Sequence, residues 1–219
     1  MFDDADIEAA VEGALTSKYR NTGQTCICTN RFFVQEKIYE PFIAKLATRV
    51  AQLKVGSGLE PGIQQGPLID QAALEKVEAH ISDALAKGAK VETGGHRHSL
   101  GGTFFEPTVL SHARADMLVA REETFGPVAP VFSFGSEDEA IAAANSVDYG
   151  LASYFYSRDV GRVLRCAERL EYGMVGVNVG VMSTEVAPFG GVKQSGYGRE
   201  GSRHGIDEYL TVKYVCIGL

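Results

Sequence analysis

At 219 residues, 45% hydrophobic and 22% charged, the chain has an ordinary globular composition, which excludes disorder, collagen and a dense disulfide scaffold and points to one main α/β domain. A net charge of −7 with scattered Lys and Arg excludes a general attraction to nucleic acid or anionic lipid, and no apolar stretch is long enough to span a bilayer. The acidic start Met1-Phe2-Asp3-Asp4 lacks the marks of a signal peptide, so a cytosolic location is expected, and Cys26, Cys28, Cys166 and Cys216, without zinc-ligand spacing, are expected as free thiols with no metal.

In chain order, Asp6 can cap a helix with Ile7, Ala10, Val11, Ala14 and Leu15 at helical spacing, ending before Asn21-Thr22-Gly23. Arg31 to Val34 reads as a short strand. A helix from Glu36 to Leu53 follows, with Tyr39, Phe42, Ile43, Leu46, Val50 and Leu53 on one face and Pro41 tolerated near its start. After a turn-rich loop, Val55 to Pro67, Asp70 can cap a helix with Ala73, Val77, Ile81, Ala84 and Leu85 inward and Gly88 past its end. Lys90 to Glu92, Phe104 to Leu110 and Val128 to Phe134 are strand-like, and Glu122 to Pro127 between the last two is expected as an exposed, shaped loop.

Ser136 opens a helix to Asn145, Leu151 to Tyr156 is a strand, Asp159 to Leu170 a helix and Met174 to Val179 a strand. A glycine-dense loop occupies Pro188 to Gly201, and Tyr209 to Ile217 alternates like a terminal strand in search of a partner. Strands alternating with helices imply a mostly parallel twisted sheet with helices on both faces, a three-layer α/β fold.

The chemistry concentrates in Gly23-Gln24-Thr25-Cys26-Ile27-Cys28, which sets a thiol on a turn at a helix end, where convergent N–H groups can stabilise a thiolate and an oxyanion. A cysteine after a helix is more often a small buried hydrophobe, but Gly23-Gln24 before it and Thr29-Asn30-Arg31 after it are poor core material. A cofactor-free thiol hydrolase would need a histidine beside the thiol, and His80, His96, His98, His112 and His204 show no triad signature. A reading from another class is a non-catalytic assembly module that pairs through the C-terminal strand.

Gly23-Gln24-Thr25-Cys26 resembles the catalytic cysteine motif of the NAD(P)-dependent aldehyde dehydrogenases. Glu122-Glu123-Thr124-Phe125-Gly126-Pro127 resembles that family's cofactor-contacting segment, and Pro188-Phe189-Gly190-Gly191 through Gly198-Arg199-Glu200 its C-terminal signature loop. These ordered motifs carry the likeness over the whole chain. The resemblance implies that Cys26 attacks the aldehyde, that hydride passes to NAD or NADP, and that the thioacyl enzyme is hydrolysed by a water that a glutamate activates. It assigns Glu123 to the nicotinamide ribose and Phe125 to the neighbourhood of the nicotinamide, although an acidic pair is more commonly a solvated turn.

Lys18-Tyr19-Arg20-Asn21, Val181 to Ala187 and the C-terminal residues resemble the succinate-semialdehyde dehydrogenase branch. There an arginine ahead of the nucleophile and a serine in the late loop bind the substrate's distal carboxylate; the matching residues are Arg20 and Ser183, with Phe189 as a pocket wall. Taken singly, Arg20 would be a surface residue and Ser183 a loop filler. Cys28 forms C-x-C with Cys26, and a disulfide that silences the nucleophile and an inert thiol both stay open. The resemblance further implies a catalytic domain over 1–205, an oligomerisation strand over 206–219, a missing N-terminal dinucleotide-binding domain that carries the glutamate base, and a homo-dimer or homo-tetramer for the full-length protein. The isolated chain is expected to turn over little or no aldehyde.

Overall fold

Four of the six α-helices start where a short polar side chain accepts a free backbone N–H. The computed structural model describes residues 1–219. Asp6 accepts from the Ala9 amide at the head of α1 (Ile7–Tyr19) and Asp70 from that of Ala73 at the head of α3 (Gln71–Ala86). Between them, β1 (Phe32–Gln35) runs directly into α2 (Glu36–Val50), which continues through Pro41. Then come β2 (Lys90–Thr93), β3 (Thr108–Ser111), a single turn α4 (Leu118–Arg121) and β4 (Val128–Phe134). Ser136 caps α5 (Glu137–Asn145), and Asp159 caps α6 (Val160–Arg169). The remaining strands are β5 (Tyr149–Gly150), β6 (Ala152–Phe155), β7 (Met174–Val177) and β8 (Val192–Lys193).

The main sheet has four strands in the order β1-β4-β3-β2, with β1 and β3 parallel to β4 and β2 antiparallel at the edge. β6 and β7 form a separate parallel pair, and β5 and β8 a short antiparallel one. Phe42, Leu46 and Val50 of α2 pack with Val11 of α1 on one face of the sheet. Leu74, Val77 and Ile81 of α3 pack with Leu110, Val128 and Phe132 on the other. Parallel strands buried on both faces read as continuous apolar runs, and β4 is such a run. The fold is therefore the expected layered α/β arrangement.

Several local expectations are corrected. Leu85 is 43% exposed while Leu74 and His80 are buried, because the inner stripe of α3 is rotated toward β4. α4 has no counterpart in the sequence reading. The expected strand over 209–217 is not formed: Gly205–Tyr209 makes a 3-10 turn and residues 211–219 make no hydrogen bond to the rest of the chain. A strand exists only with a partner, and this chain supplies none there. No helix is long and apolar enough to cross a membrane.

Candidate active site

The thiol turn is built on left-handed backbone. After α1 the chain enters a 3-10 turn, Arg20–Gly23, in which Asn21, Thr22 and Gly23 have φ of 50°, 58° and 76°. That conformation is cheap for glycine and costs a β-branched threonine about 1–3 kcal/mol, so the surroundings must enforce it. Thr22 Oγ1 donates to the Gly66 carbonyl at 3.2 Å, and Asn21 Nδ2 to that of Gln24 at 3.0 Å. Gln24 reaches the same loop from its other side, its Nε2 donating to Pro67 O at 3.3 Å and its Oε1 accepting from Ile69 N at 2.8 Å. The buried Gln65 donates to Tyr19 O at 2.6 Å and so closes the end of α1. The loop before α3, silent in the sequence, is thus the clamp on the thiol turn.

Beyond Gln24 the backbone closes a tight turn, Cys28 N donating to Thr25 O at 2.9 Å. Cys26 stands exposed on it, held by the burial of Ile27. No carboxylate or imidazole hydrogen-bonds Cys26. Cys28 is half-buried, its Sγ 3.7 Å from the Arg20 carbonyl; burial pushes its thiol up, with Lys18 opposing.

The turn touches the acidic segment directly. A Cβ on Gly23 would lie 2.1 Å from the Gly126 carbonyl oxygen, so the two backbones meet where only glycine fits. Asn30 fastens the same segment twice, Nδ2 donating to Glu122 O at 3.1 Å and Oδ1 accepting from Thr124 N at 3.1 Å. From α3, His80 places Nδ1 3.0 Å from Thr124 Oγ1 and Nε2 3.3 Å from the Glu122 carboxylate. Burial pulls His80 below its usual range, so it is neutral at pH 7. Glu122–Pro127 is consequently not the wholly exposed loop expected: Thr124, Gly126 and Pro127 are buried, while Glu123 and Phe125 point out. Phe125 is 39% exposed with φ 53°. Burial among its neighbours pushes the Glu123 carboxyl above its usual range, opposed by Lys76 and Lys18. Replacing His80 with alanine is expected to cost about 2 kcal/mol in urea unfolding and to speed amide exchange over 122–126, because Thr124 and Glu122 lose a buried partner.

Cys26, Cys28 and Glu123 line one cavity of about 730 Å³, together with Tyr154. Tyr154 hydrogen-bonds Ile27 O at 3.1 Å, and burial pushes its hydroxyl up to about 12, which keeps it a neutral donor. It went unread because strand alternation does not mark a tyrosine near a thiol. Lys18, only 1% exposed, was missed as well, although a lysine on the apolar stripe of α1 is a readable anomaly. Burial lowers its pKa to about 8, and Cys28 and Glu123 are the charges that oppose this.

Arg20 sits exposed at the head of the turn, beside Cys28. Ser183 is exposed in the loop after β7, and no hydrogen bond links it to Arg20. Gly180 in that loop packs so closely on α1 that a Cβ would lie 2.5 Å from Gly13 O. Phe189 is half-buried and bridged to Glu200, closing the glycine-dense loop at its base. The structure thus brings Cys26, Cys28 and Glu123 to one cavity, with the Arg20 carbonyl beside Cys28, while Phe125 is exposed and does not line that cavity, and no hydrogen bond joins Ser183 or Phe189 to the group.

A sequence profile described as the aldehyde dehydrogenase family matches residues 1–215. The chain is 63% identical over 218 residues to a 3-sulfolactaldehyde dehydrogenase of Pseudomonas putida, covering all of this chain and 45% of that protein. It is 61% identical over 218 residues to a glutarate-semialdehyde dehydrogenase of Pseudomonas aeruginosa, and 57% identical over 219 residues to the NADP(+) succinate-semialdehyde dehydrogenase of Escherichia coli, with the same coverage in both cases, 100% of this chain and 45% of the relative. The crystal structure of succinate-semialdehyde dehydrogenase from Burkholderia pseudomallei superposes with a TM-score of 0.98 at 64% identity, over 100% of this chain and 45% of that one. A betaine aldehyde dehydrogenase of Staphylococcus aureus solved with NAD+ gives 0.91 at 41% identity, over 96% of this chain and 42% of that one. The chain therefore spans just under half the length of these relatives.

Proposed function

The chain belongs to the aldehyde dehydrogenase family, and from that premise we propose that it is the thiol-bearing catalytic domain of an NAD(P)-dependent dehydrogenase that oxidises succinate semialdehyde to succinate. The observation that carries this reading is the exposed Cys26 on a strained turn locked by Gly23 and Gly126 against the segment bearing Glu123 and Phe125. Cys26 is the nucleophile: its sulfur adds to the aldehyde carbon, and its own N–H, free at the head of the turn, faces the developing oxyanion. The nicotinamide cofactor, when bound, accepts the hydride. Glu123, an exposed carboxylate that lines the cavity, would accept from the paired hydroxyls of its ribose, and Phe125, exposed two residues on, would lie near the nicotinamide. Arg20 would hold the distal carboxylate through paired charge-assisted bonds, with Ser183 and Phe189 completing the pocket.

A second reading keeps the chemistry and changes the substrate to another short aldehyde with an anionic end. The names of the relatives favour it, since 3-sulfolactaldehyde and glutarate semialdehyde stand beside succinate semialdehyde. With no base bonded to Cys26, the chain by itself is expected to turn over little or no aldehyde, and robust NAD(P) reduction by it would overturn the reading of a divided site. The nucleophile is testable without cofactor. Succinate semialdehyde should protect Cys26 from iodoacetamide, residue by residue in mass spectrometry, at least tenfold better than butanal, and Arg20→Met should erase that preference. Equal protection by both aldehydes would remove the carboxylate pocket from the proposal. Peroxide should block Cys26 reversibly if Cys28 closes a disulfide with it; the same reversible block in Cys28→Ala would make Cys28 an inert thiol.

A further inference from the structure

Glu122 and Thr124 flank Glu123, and each is fixed through both its backbone and its side chain. Asn30, four residues past Cys26, takes the backbone: its Nδ2 donates to Glu122 O and its Oδ1 accepts from Thr124 N, both at 3.1 Å. His80 of α3 takes the side chains, with Nε2 3.3 Å from a Glu122 carboxylate oxygen and Nδ1 3.0 Å from Thr124 Oγ1. A carboxylate only accepts, which assigns the proton of the neutral ring to Nε2, so Nδ1 accepts from the Thr124 hydroxyl. His80 is 2% exposed, and both of its ring nitrogens are committed to this one segment.

The consequence falls on the residue between them. Glu122 is extended, with φ −110° and ψ 142°, and in extended chain successive side chains point to opposite sides. Drawing Glu122 and Thr124 back to α3 therefore turns Glu123 the other way, into the cavity it shares with Cys26 and Cys28. Lys76, one turn before His80 on α3, and Lys18 of α1 are the cations that face Glu123, and neither forms a salt bridge with it. The direction of the Glu123 carboxylate is thus left to the grip on its two neighbours.

We propose that His80 is a positioning residue: by gripping Glu122 and Thr124 it holds the Glu123 carboxylate in the cavity beside the thiol turn. What the carboxylate is held for rests on the reading of Glu123 as the acceptor for the nicotinamide ribose. A ribose presents two neighbouring hydroxyls, and a carboxylate already fixed in direction loses less side-chain freedom when it accepts from both. Because Asn30 belongs to the segment that leaves the thiol turn, the same grip also fixes the spacing between Glu123 and Cys26.

The test is carbon-13 NMR of the glutamate-labelled chain, with the Glu123 Cδ resonance assigned by Glu123→Gln and titrated in the parent, His80→Ala, His80→Gln and Thr124→Val. In the parent, burial among its neighbours pushes the Glu123 carboxyl above its usual range, with Lys76 and Lys18 opposing; Glu122, His80, Cys26 and Cys28 are the other titratable groups around it. In His80→Ala the midpoint is expected to fall to the ordinary glutamate value, ~4.3, as the side chain swings into water. Loss of a nearby imidazolium by itself would raise the midpoint, so the direction separates release from lost charge. His80→Gln, whose amide can still donate to Glu122, should keep most of the parent's shift, and Thr124→Val, which replaces the hydroxyl with a methyl, should lose part of it. Protected amides in β4 show that a variant is folded. An unchanged midpoint in folded Thr124→Val and His80→Ala, or in Thr124→Val alone if His80→Ala does not fold, overturns the proposal and leaves His80 a purely structural residue. NADH probes the underlying reading: it should move the Glu123 resonance in the parent and need at least fivefold more to do so in His80→Ala. A midpoint that falls in His80→Ala, beside a parent resonance that NADH leaves unmoved, fails the ribose reading and upholds the positioning.

Discussion

Replacing Lys18 with methionine is expected to stabilise the fold by about 2 kcal/mol, a gain of roughly 4–8 °C in Tm for a chain of this size. Lys18 is 1% exposed, and no carboxylate forms a salt bridge with its ammonium. Burial lowers its pKa from 10.5 to about 8, so the charged form costs about 3 kcal/mol in the fold. Methionine keeps the length and volume of the side chain and removes the charge. The pH dependence has a definite sign. The folded pKa lies below the unfolded one, so between about 8 and 10.5 the unfolded chain binds more protons and the contribution of Lys18 to stability rises with pH. Below 8 both states are protonated and the penalty is constant. The advantage of Lys18→Met, measured by urea unfolding, should therefore be full at pH 7 and shrink by pH 10. A variant less stable than the parent at pH 7 would show that the cation is paired and stabilising. A gain in stability would instead mark Lys18, with Cys28 and Glu123 as its charged neighbours, as a residue held at a cost to the fold.

Gly23→Ala is expected to be the most damaging small substitution at the site, with a loss of about 3 kcal/mol or more. Two costs combine. The φ of 76° is strained for any residue with a Cβ, and that Cβ would lie 2.1 Å from Gly126 O and 2.5 Å from Gly126 C, backbone atoms that cannot swing aside. Gly62 separates the two, because its φ is 77° and nothing lies within 4 Å of its would-be Cβ. Gly62→Ala should cost only about 1 kcal/mol, the price of the dihedral alone. Urea unfolding of both variants, with the rate of Cys26 alkylation beside it, reads the difference. If the two alanines cost the same, the contact between the thiol turn and the Glu122–Pro127 segment is not what holds Cys26 in place.

Local chemistry was legible in the residues themselves. The side chains of Asp6, Asp70, Ser136 and Asp159 all accept the N–H three residues ahead, because a cap is a contact between near neighbours in the chain. The helices and most strands followed from periodicity for the same reason, and the residues around Cys26 placed a thiol on a turn at a helix end. What the sequence by itself determined was therefore most of the elements, the layered α/β class and an exposed thiol on a turn.

Tertiary structure decided the rest. Tyr154 reaches Ile27 across 127 residues, Asn30 reaches Thr124 across 94 and Thr22 reaches Gly66 across 44, and no local pattern encodes such distances. The burial of Lys18 and His80 depends on which way α1 and α3 roll against the sheet, and that roll is set by packing against β4 and its neighbours. The residues at 209–217 carry strand periodicity and still form no strand, because periodicity states a preference while backbone hydrogen bonds need a second edge.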